Sequence, residues 1–288
     1  MNRSRHFRAW TLGALLALVA PPAVAGAQSD SVPPVVGAWD LRVQGPDGVV
    51  YPSWLEVSAS GFHALVGRFV GRGGSARPIG RVEYADGVLR FAIPPQWERG
   101  DADLRLEGRL DGDRLTGTIV MPAGERHTFT ASRTPSLRRA HAPRWGTPIK
   151  LFDGKDLAGW TTTGGGGESH WRVIGGVLTN TAGGANLVTT RTFADFKLHV
   201  EFRYPKGGNS GVYLRGRHEV QVEDSEEREW PTAENVGAVY GFLPPNENAA
   251  TGPGRWQTYD ITLVGRRVTV VLNGRTVIGD AVIPGVTG

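Results

Sequence analysis

Residues 197–204, KLHVEFRY, alternate between apolar and polar side chains along their whole length. Leu198, Val200 and Phe202 would point to one side of an extended chain, and the charged residues between them would point to the other. This period of two predicts a β-strand with one face in a protein core and the other toward solvent or a ligand. The stretch therefore indicates that the C-terminal half of the chain is built from β-sheet.

Similar short runs lie on both sides of this stretch, and turn signals separate them. The pair Asn273-Gly274 is typical of a type I′ hairpin, because both of its residues must take positive φ. The sheet is therefore expected to be mainly antiparallel. The sequence stops at Gly288 where one more pair of strands is expected, which favours a truncated sequence. The other predicted strands of this half are residues 171–178, 210–215, 218–223, 256–264 and 267–272.

A separate block, residues 32–133, also has the pattern of an all-β domain. Its strand-like runs are bounded by Gly, Asp or Pro turn signals, such as PDG at 46–48 and ADG at 85–87. This spacing predicts a small antiparallel barrel or sandwich. Residues 134–147 are basic, contain proline and show no periodicity, which predicts a linker to the second domain at 148–288.

Residues 1–27 have the pattern of a secretory signal peptide. Three arginines precede an apolar stretch over residues 10–20, and small residues at 23–27 offer cleavage sites. The apolar stretch is too short for a membrane span of about 20 residues. We therefore expect an exported protein, periplasmic or extracellular, with no membrane span after the signal is removed.

The composition excludes several classes of function. Removing the three arginines of the signal takes the formal net charge of the 288-residue chain from +4 to +1. No dense run of Lys and Arg is present, so nucleic-acid binding is not expected. The chain has no cysteine, which excludes disulfides, thiolate metal sites and a cysteine nucleophile.

Five motifs follow one another through the C-terminal half. They are residues 151–160 (LFDGKDLAGW), 208–215 (GNSGVYLR), 218–225 (HEVQVEDS), 237–241 (GAVYG), and 256–261 (WQTYDI) together with 272–274 (LNG). In this order they resemble the 3-keto-disaccharide hydrolase domain family over residues 148–288. The resemblance implies a concanavalin-like jelly-roll β-sandwich and activity on glycosides oxidised to a ketone at carbon 3. It does not extend to the N-terminal block.

Strand alternation predicts which side chains could form a sugar site. Stacked in one antiparallel sheet, the C-terminal strands would form a concave floor of carboxylates, a guanidinium group, an amide and an aromatic ring. Such a floor offers directional hydrogen bonds to sugar hydroxyls. The alternative is a solvated sheet face with cross-strand ion pairs. The polar side chains that alternation places on this floor are Glu201, Tyr213, Arg215, Glu219, Gln221 and Glu223.

A ketone at carbon 3 makes the hydrogen on carbon 2 acidic, so a base can remove it. The enolate can then expel the glycosidic oxygen from carbon 1, after which water adds back. Glu219 is the candidate base, and the alternative is a structural carboxylate paired with Arg215. Arg215, or a divalent cation such as Ca²⁺ for which the sequence names no ligands, would stabilise the enolate. Asp224 is either an acid or a turn cap. The residues expected to bind the sugar are Asn209, Tyr213, Gln221, Glu201 and Tyr240, with Trp230 as a lid.

The sequence leaves three functions open. The first is an exported enzyme that cleaves an oxidised saccharide, a 3-keto-glycoside, by hydrolysis or by elimination and hydration. The second is a non-catalytic carbohydrate-binding module, because the same polar face would serve binding alone. The third is a retaining glycosidase, which needs two carboxyls about 5 Å apart. Glu219 and Glu223 are about 13 Å apart along one strand, but Glu201 on a neighbouring strand could approach Glu219.

Overall fold

The structure is a computed structural model and describes residues 32–61, 63–72, 75–96, 98–163, 168–181, 183–225 and 229–286. The regular secondary structure of these described residues consists of β-strands, with no helix among them. This confirms the predicted all-β class. The predicted signal peptide at 1–27 lies outside the described residues. Among the described residues, no helix has the length and apolar character needed to cross a membrane.

The first eight strands of the described chain form a closed barrel in which each strand pairs antiparallel with the next. The first strand also pairs with the eighth, which closes the barrel. Alternate side chains, among them Trp39, Leu55 and Phe129, are buried in one core. Of the two architectures that the sequence left open, the barrel is the one that forms. Its strands are β1 (Gly37–Gln44), β2 (Val50–Ser60), β3 (Ala64–Val70), β4 (Arg77–Ala85), β5 (Val88–Ile93), β6 (Leu104–Asp111), β7 (Arg114–Val120) and β8 (Arg126–Arg133).

Ten further strands lie in the described part of the C-terminal half, and four of them make one antiparallel sheet in the order β13-β16-β17-β18. The hairpin β14-β15 forms a second layer. Two short pairs, β10-β11 and β12-β9, precede these layers. The strands are β9 (Trp160–Thr163), β10 (Trp171–Ile174), β11 (Val177–Asn180), β12 (Asn186–Thr189), β13 (Phe196–Phe202), β14 (Asn209–Leu214), β15 (His218–Glu223), β16 (Gln257–Val264), β17 (Arg267–Leu272) and β18 (Arg275–Val282).

One core lies between the four-stranded sheet and the β14-β15 hairpin. Leu198, Val200 and Phe202 of β13 pack against it, as the alternation predicts, and Val220 and Val222 of β15 belong to it. Both layers therefore turn their other faces away from a shared interior. The polar face of β13 and the polar face of β15 point in opposite directions.

This arrangement corrects the expectation that all the polar strands stack in one sheet. β13 pairs with β16, whereas β14 pairs with β15. The run predicted as one strand at 171–178 is the hairpin β10-β11, because Gly175 and Gly176 both have positive φ, 57° and 79°. The predicted Asn273-Gly274 turn is confirmed, with φ of 51° and 82° between the paired Leu272 and Arg275.

The segment predicted as a linker makes specific contacts with its neighbours. The Thr134 hydroxyl donates to Asp40 of β1 at 2.7 Å. Arg139 donates two hydrogen bonds to the carboxylate of Asp195, at 2.6 and 2.9 Å. Asp195 also accepts a hydrogen bond from the backbone of Gly265, which connects β16 to β17. The segment is thus attached to both the barrel and the sandwich.

Candidate active site

The polar face of the β14-β15 hairpin carries the candidate base. Cross-strand pairing sets Tyr213 opposite Glu219, and Gly211 opposite Gln221. The Glu219 side chain lies over Gly211, because a Cβ built at Gly211 would be 2.0 Å from Glu219 Oε1. The absence of a side chain at position 211 therefore makes the space that the carboxylate occupies.

The environment of Glu219 favours its protonated form. Burial raises the pKa of the Glu219 carboxyl, and a hydrogen bond from the Tyr213 hydroxyl opposes part of that rise. The Tyr213 hydroxyl donates to Glu219 Oε2 at 3.1 Å. Burial, and then the nearby Glu219 carboxylate, raise the pKa of Tyr213. A carboxylate with a raised pKa is a stronger base when it is ionised.

A segment at residues 232–243 runs beside β15 and adds a second tyrosine. The Tyr240 amide donates to the Glu219 carbonyl at 2.9 Å, and the Gln221 amide donates to the Ala238 carbonyl at 3.0 Å. Burial raises the pKa of Tyr240 most, followed by the charge of Glu234, while the carboxylates of Glu219 and Glu223 also contribute. The Tyr240 phenol is therefore neutral and lies within electrostatic range of three carboxylates.

Gln221 is the most deeply buried polar residue of this face, with 4% of its surface exposed. Its Nε2 donates to the carbonyl of Glu234 at 3.2 Å. Its backbone carbonyl accepts hydrogen bonds from the Tyr259 hydroxyl at 2.5 Å and from the Gly237 amide at 3.1 Å. These contacts fix Gln221 between the core and the 232–243 segment.

Glu223 lies at the far end of the same strand face. Its Oε2 accepts hydrogen bonds from the Ser225 hydroxyl at 2.6 Å and from Asn235 Nδ2 at 3.0 Å. Asn209, its exposed partner across the hairpin, completes this end. The polar face of the β14-β15 hairpin thus carries two carboxylates, two side-chain amides and a phenol. Tyr240 and Glu234 lie at its edge.

A sequence comparison identifies the domain that carries this face. Residues 147–288 match the profile of the 3-keto-alpha-glucoside-1,2-lyase-like domain. The C-terminal half of this chain belongs to that family. The match confirms the resemblance carried by the five motifs, and it contains every residue of the polar face.

Solved structures with some similarity include two proteins of Parabacteroides distasonis ATCC 8503, each provisionally described as a glycosyl hydrolase. One is 33% identical, and the matched region covers 49% of this chain and 67% of the other, with a TM-score of 0.42. The other is 23% identical and covers 44% of this chain and 69% of its own, with a TM-score of 0.38. A redesigned β-barrel is 16% identical and covers 35% of this chain and 92% of its own, with a TM-score of 0.28. No curated protein matched the chain.

In the lyase-like domain Arg215 does not lie on the same strand face as Tyr213. β14 ends at Leu214, and Arg215 has a φ of 58°, so the alternation stops at the turn. The Arg215 guanidinium donates to the carbonyl of Gly265. Burial lowers the pKa of Arg215, and the charge of Asp195 opposes this. The structure therefore places this guanidinium in the group around Gly265 and Asp195, and the expected stacking of Arg215 beside Tyr213 is corrected.

Glu201 also lies apart from the polar face of the lyase-like domain. It is on the outer face of β13, where His199 Nε2 is 3.9 Å from Glu201 Oε1 and His199 Nδ1 is 2.7 Å from Asp260 Oδ1. The shared core separates this face from Glu219. A retaining pair of Glu201 with Glu219 is therefore excluded, since that mechanism needs carboxyls about 5 Å apart.

The two remaining candidates have different surroundings. Asp224 accepts a hydrogen bond from the Gly207 amide at 2.8 Å, and its own amide donates to the Gly208 carbonyl at 2.9 Å. These are the contacts of a turn cap. Trp230 is 82% exposed, and residues 226–228 of its segment lie outside the described residues. Among the described residues, no cluster of three or more His, Asp or Glu side chains could hold a metal ion.

Three residues near this face were not among the predicted site residues. Glu234 and Asn235 lie between the quoted motifs, and Ser75 comes from the barrel. Asn235 is buried and also accepts a hydrogen bond from the Thr232 amide at 2.7 Å. Only their position in the folded chain shows their relation to Glu219, because local periodicity does not report which loop returns to a strand.

Proposed function

We propose that this protein is a glycoside-active enzyme that cleaves 3-keto-glycosides, with Glu219 as the base. The observation that carries the proposal is the half-buried Glu219 carboxyl between two tyrosines on the polar face of the lyase-like domain. Its raised pKa makes the ionised form a stronger base than an exposed glutamate. The family assignment supports a glycoside as the substrate.

The reaction we propose begins with removal of the hydrogen on carbon 2. Glu219 takes this proton, and the C–H electron pair forms an enolate with the ketone at carbon 3. The Tyr240 hydroxyl donates a hydrogen bond to the developing oxyanion. The enolate restores the ketone while the C1–O1 bond breaks, which leaves a double bond between carbons 1 and 2. The departing oxygen takes a proton from the protonated Glu219 or from water, and water then adds to carbon 1.

The other polar groups would bind the sugar. The Tyr213 hydroxyl keeps the Glu219 carboxylate oriented, and Asn209 is exposed where it can reach a hydroxyl. Gln221 is fixed by its neighbours, so we propose that it stabilises the floor and limits the depth of the site. Arg215 and Glu201 have no part in this mechanism, because their contacts lie elsewhere.

The decisive test compares Glu219→Gln with Glu201→Gln on p-nitrophenyl 3-keto-α-glucoside. We expect Glu219→Gln to lower kcat/KM by about 10²–10⁴-fold, the usual contribution of general acid–base catalysis. Glu201→Gln removes the same charge from the opposite face and should stay within about twofold of the wild type. A Glu219→Gln enzyme with wild-type turnover would rule out the assignment of the base.

Two further arms separate related functions. In D₂O, elimination should incorporate deuterium at carbon 2 of the product, whereas direct hydrolysis should not. Sugar binding without release of nitrophenol from the wild type would instead support the non-catalytic module. Dialysis against EDTA with and without added Ca²⁺ measures any requirement for a cation.

We also propose that the protein is exported, on the signal-like pattern of residues 1–27. Cell fractionation should find the mature chain, shortened at its N-terminus, in the periplasm or the medium. Recovery of the full-length chain in the cytoplasm would contradict this.

A further inference from the structure

The barrel touches the edge of the candidate site through Ser75, which lies between β3 and β4. The Ser75 hydroxyl donates to Glu234 Oε1 at 3.1 Å. The same hydroxyl can instead turn to donate to the phenol oxygen of Tyr240, an interaction that lowers the pKa of Tyr240 and leaves its proton free for the substrate. One hydroxyl of the barrel thus reaches the two polar side chains that stand at the edge of the Glu219 face.

The backbones at this contact are close together. A Cβ built on Gly241 would be 2.9 Å from Ser75 Cα and 3.1 Å from the Ala76 nitrogen, and Gly241 has a φ of 72°. Glycine accepts that φ without strain and adds no side chain. The lyase-like domain can therefore approach the barrel at this point only because residue 241 is glycine.

An apolar contact next to Gly241 fixes the approach. Phe242 packs edge-on against Trp54 of β2, with ring centroids 5.2 Å apart. Trp54 is fully buried although it lies on the outside of the barrel, where Val70, Phe242 and Val286 surround it. The Arg68 guanidinium is 5.6 Å from the Trp54 ring and 5.8 Å from the Phe242 ring. The Phe242 contact consequently keeps the backbone of residues 240–242 beside Ser75.

We propose that Ser75 is a positioning residue of the sugar site and that the site is complete only when the barrel is docked. The backbone N–H of Tyr240 donates a hydrogen bond to the Glu219 carbonyl, and Ser75 lies on the side of its phenol oxygen. In its other orientation the Ser75 hydroxyl donates to the side chain of Glu234, whose backbone carbonyl accepts a hydrogen bond from Gln221 Nε2. The barrel therefore controls where the Tyr240 hydroxyl meets the substrate. This inference rests on the proposed function, since Tyr240 acts there on the 3-keto sugar.

The experiment uses the full chain with Ser75→Ala, Tyr240→Phe and the double variant. We expect Ser75→Ala to lower kcat/KM about 5- to 10-fold, the effect of one hydrogen bond, with a Tm close to that of the wild type. Ser75→Thr keeps the hydroxyl and should restore most of the activity. Because Ser75 acts through Tyr240, adding Ser75→Ala to Tyr240→Phe should change the rate by less than about twofold.

Ser132→Ala is the matched control, because Ser132 is an exposed serine on β8 of the same barrel. Gly241→Ala is a second route to the same effect, since its methyl group would push the Ser75 backbone away.

Wild-type kcat/KM in Ser75→Ala, or independent effects of Ser75 and Tyr240, would overturn the inference while leaving Glu219 as the base. If the wild type binds a 3-keto-glucoside without turnover, the proposed chemistry fails. The Kd of this sugar is then compared among Ser75→Ala, Tyr240→Phe and the double variant, with the same expectation of non-additive effects. A wild type that neither binds nor cleaves this sugar overturns both proposals.

Discussion

Glu219 is held in an environment that favours its neutral form, so its ionisation should destabilise the fold. Its folded-state pKa is raised above the usual 4.5 by burial. The stability associated with the neutral group is complete below that value and is lost as the pH rises through the folded-state pKa. Ionisation of Glu219 therefore has a cost in stability, which is the expected trade-off if this carboxylate acts as the proposed base.

Glu219→Gln should accordingly raise Tm at pH 7 by up to about 4 °C while it removes activity. Near pH 4, where the wild-type carboxyl is protonated, the two proteins should unfold at similar temperatures. Differential scanning calorimetry at both pH values measures this, with Glu201→Gln as the control on the exposed face. A lower Tm for Glu219→Gln at pH 7 would contradict the environment described for the carboxyl.

Side-chain alternation in the sequence identifies the two faces of a strand correctly where that strand is continuous. The two faces of β13 follow from the period of two in residues 197–204, and Glu219 shares a face with Gln221 and Glu223 for the same reason. The reasoning fails at Arg215, because β14 has ended and both Arg215 and Gly216 have positive φ, 58° and 64°. Gly216 was the available signal, since a glycine between two strands indicates a turn beyond which alternation cannot be extended.

At the scale of elements, the β14-β15 hairpin holds the proposed base, Glu219, as a unit. Gly211 gives the Glu219 side chain its space, and the atoms that an added Cβ would meet are Glu219 Oε1, Cγ and Cδ at 2.0, 2.6 and 2.7 Å. All three belong to a flexible side chain, so an added methyl group would move the carboxylate more than the backbone. The hairpin should survive the substitution while the geometry of the base does not.

Gly211→Ala should therefore lower kcat/KM by about 10²-fold, because a displacement of about 1 Å at a reacting group can have that effect. The Tm should change by less than about 3 °C. Gly80→Ala is the control, since a Cβ at Gly80 of β4 would meet nothing within 4 Å. Wild-type activity in Gly211→Ala would show that Glu219 can act from another position and would weaken its role as a precisely placed base.

Element pairing was the part of the fold that sequence could not supply. The longer strands β13 to β17 could be found from their own residues and turns, whereas 171–178 is a hairpin and β9, β12 and β18 were not among the predicted strands. β13 and β14 are adjacent in sequence and yet lie in different layers. The polar faces of β13 and β15 look alike in sequence, and only long-range pairing separates Glu201 on β13 from Glu219 on β15. Register and partner depend on contacts between distant segments, which local alternation does not contain.

At the scale of the whole molecule, the two β domains share a small core of their own. Trp54, Val70, Phe242 and Val286 are buried together, and Arg217 makes an ion pair with Asp40 at 3.2 Å. The sequence offered one signal of this contact. In β2 the residues on either side of Trp54 face the barrel interior, so Trp54 is a large apolar side chain on the outer surface, and such side chains can mark an interface.

The fit at this interface leaves little free space. A Cβ at Gly285 would be 2.4 Å from the Trp54 ring. Burial lowers the pKa of His218 to about 3, and the backbone of the neighbouring Gly285 opposes part of that fall. A neutral histidine, a glycine and a tryptophan ring thus lie together where the chain leaves β18. Such close packing should couple unfolding of the barrel to unfolding of the lyase-like domain.

Phe242→Ala tests this coupling, because it removes the ring with which the 232–243 segment contacts Trp54. Neither of the two domain cores loses a side chain in this variant. Truncating a buried phenylalanine costs about 3–5 kcal/mol. We expect the wild type to unfold in a single calorimetric transition. The variant should unfold in two, with a ratio of calorimetric to van't Hoff enthalpy above one. Phe129→Ala removes a ring inside the barrel core and should lower Tm while one transition remains, because the interface is intact. A single transition in Phe242→Ala would mean that the coupling passes through the ion pair and the 134–147 segment instead, since those contacts are unchanged in that variant.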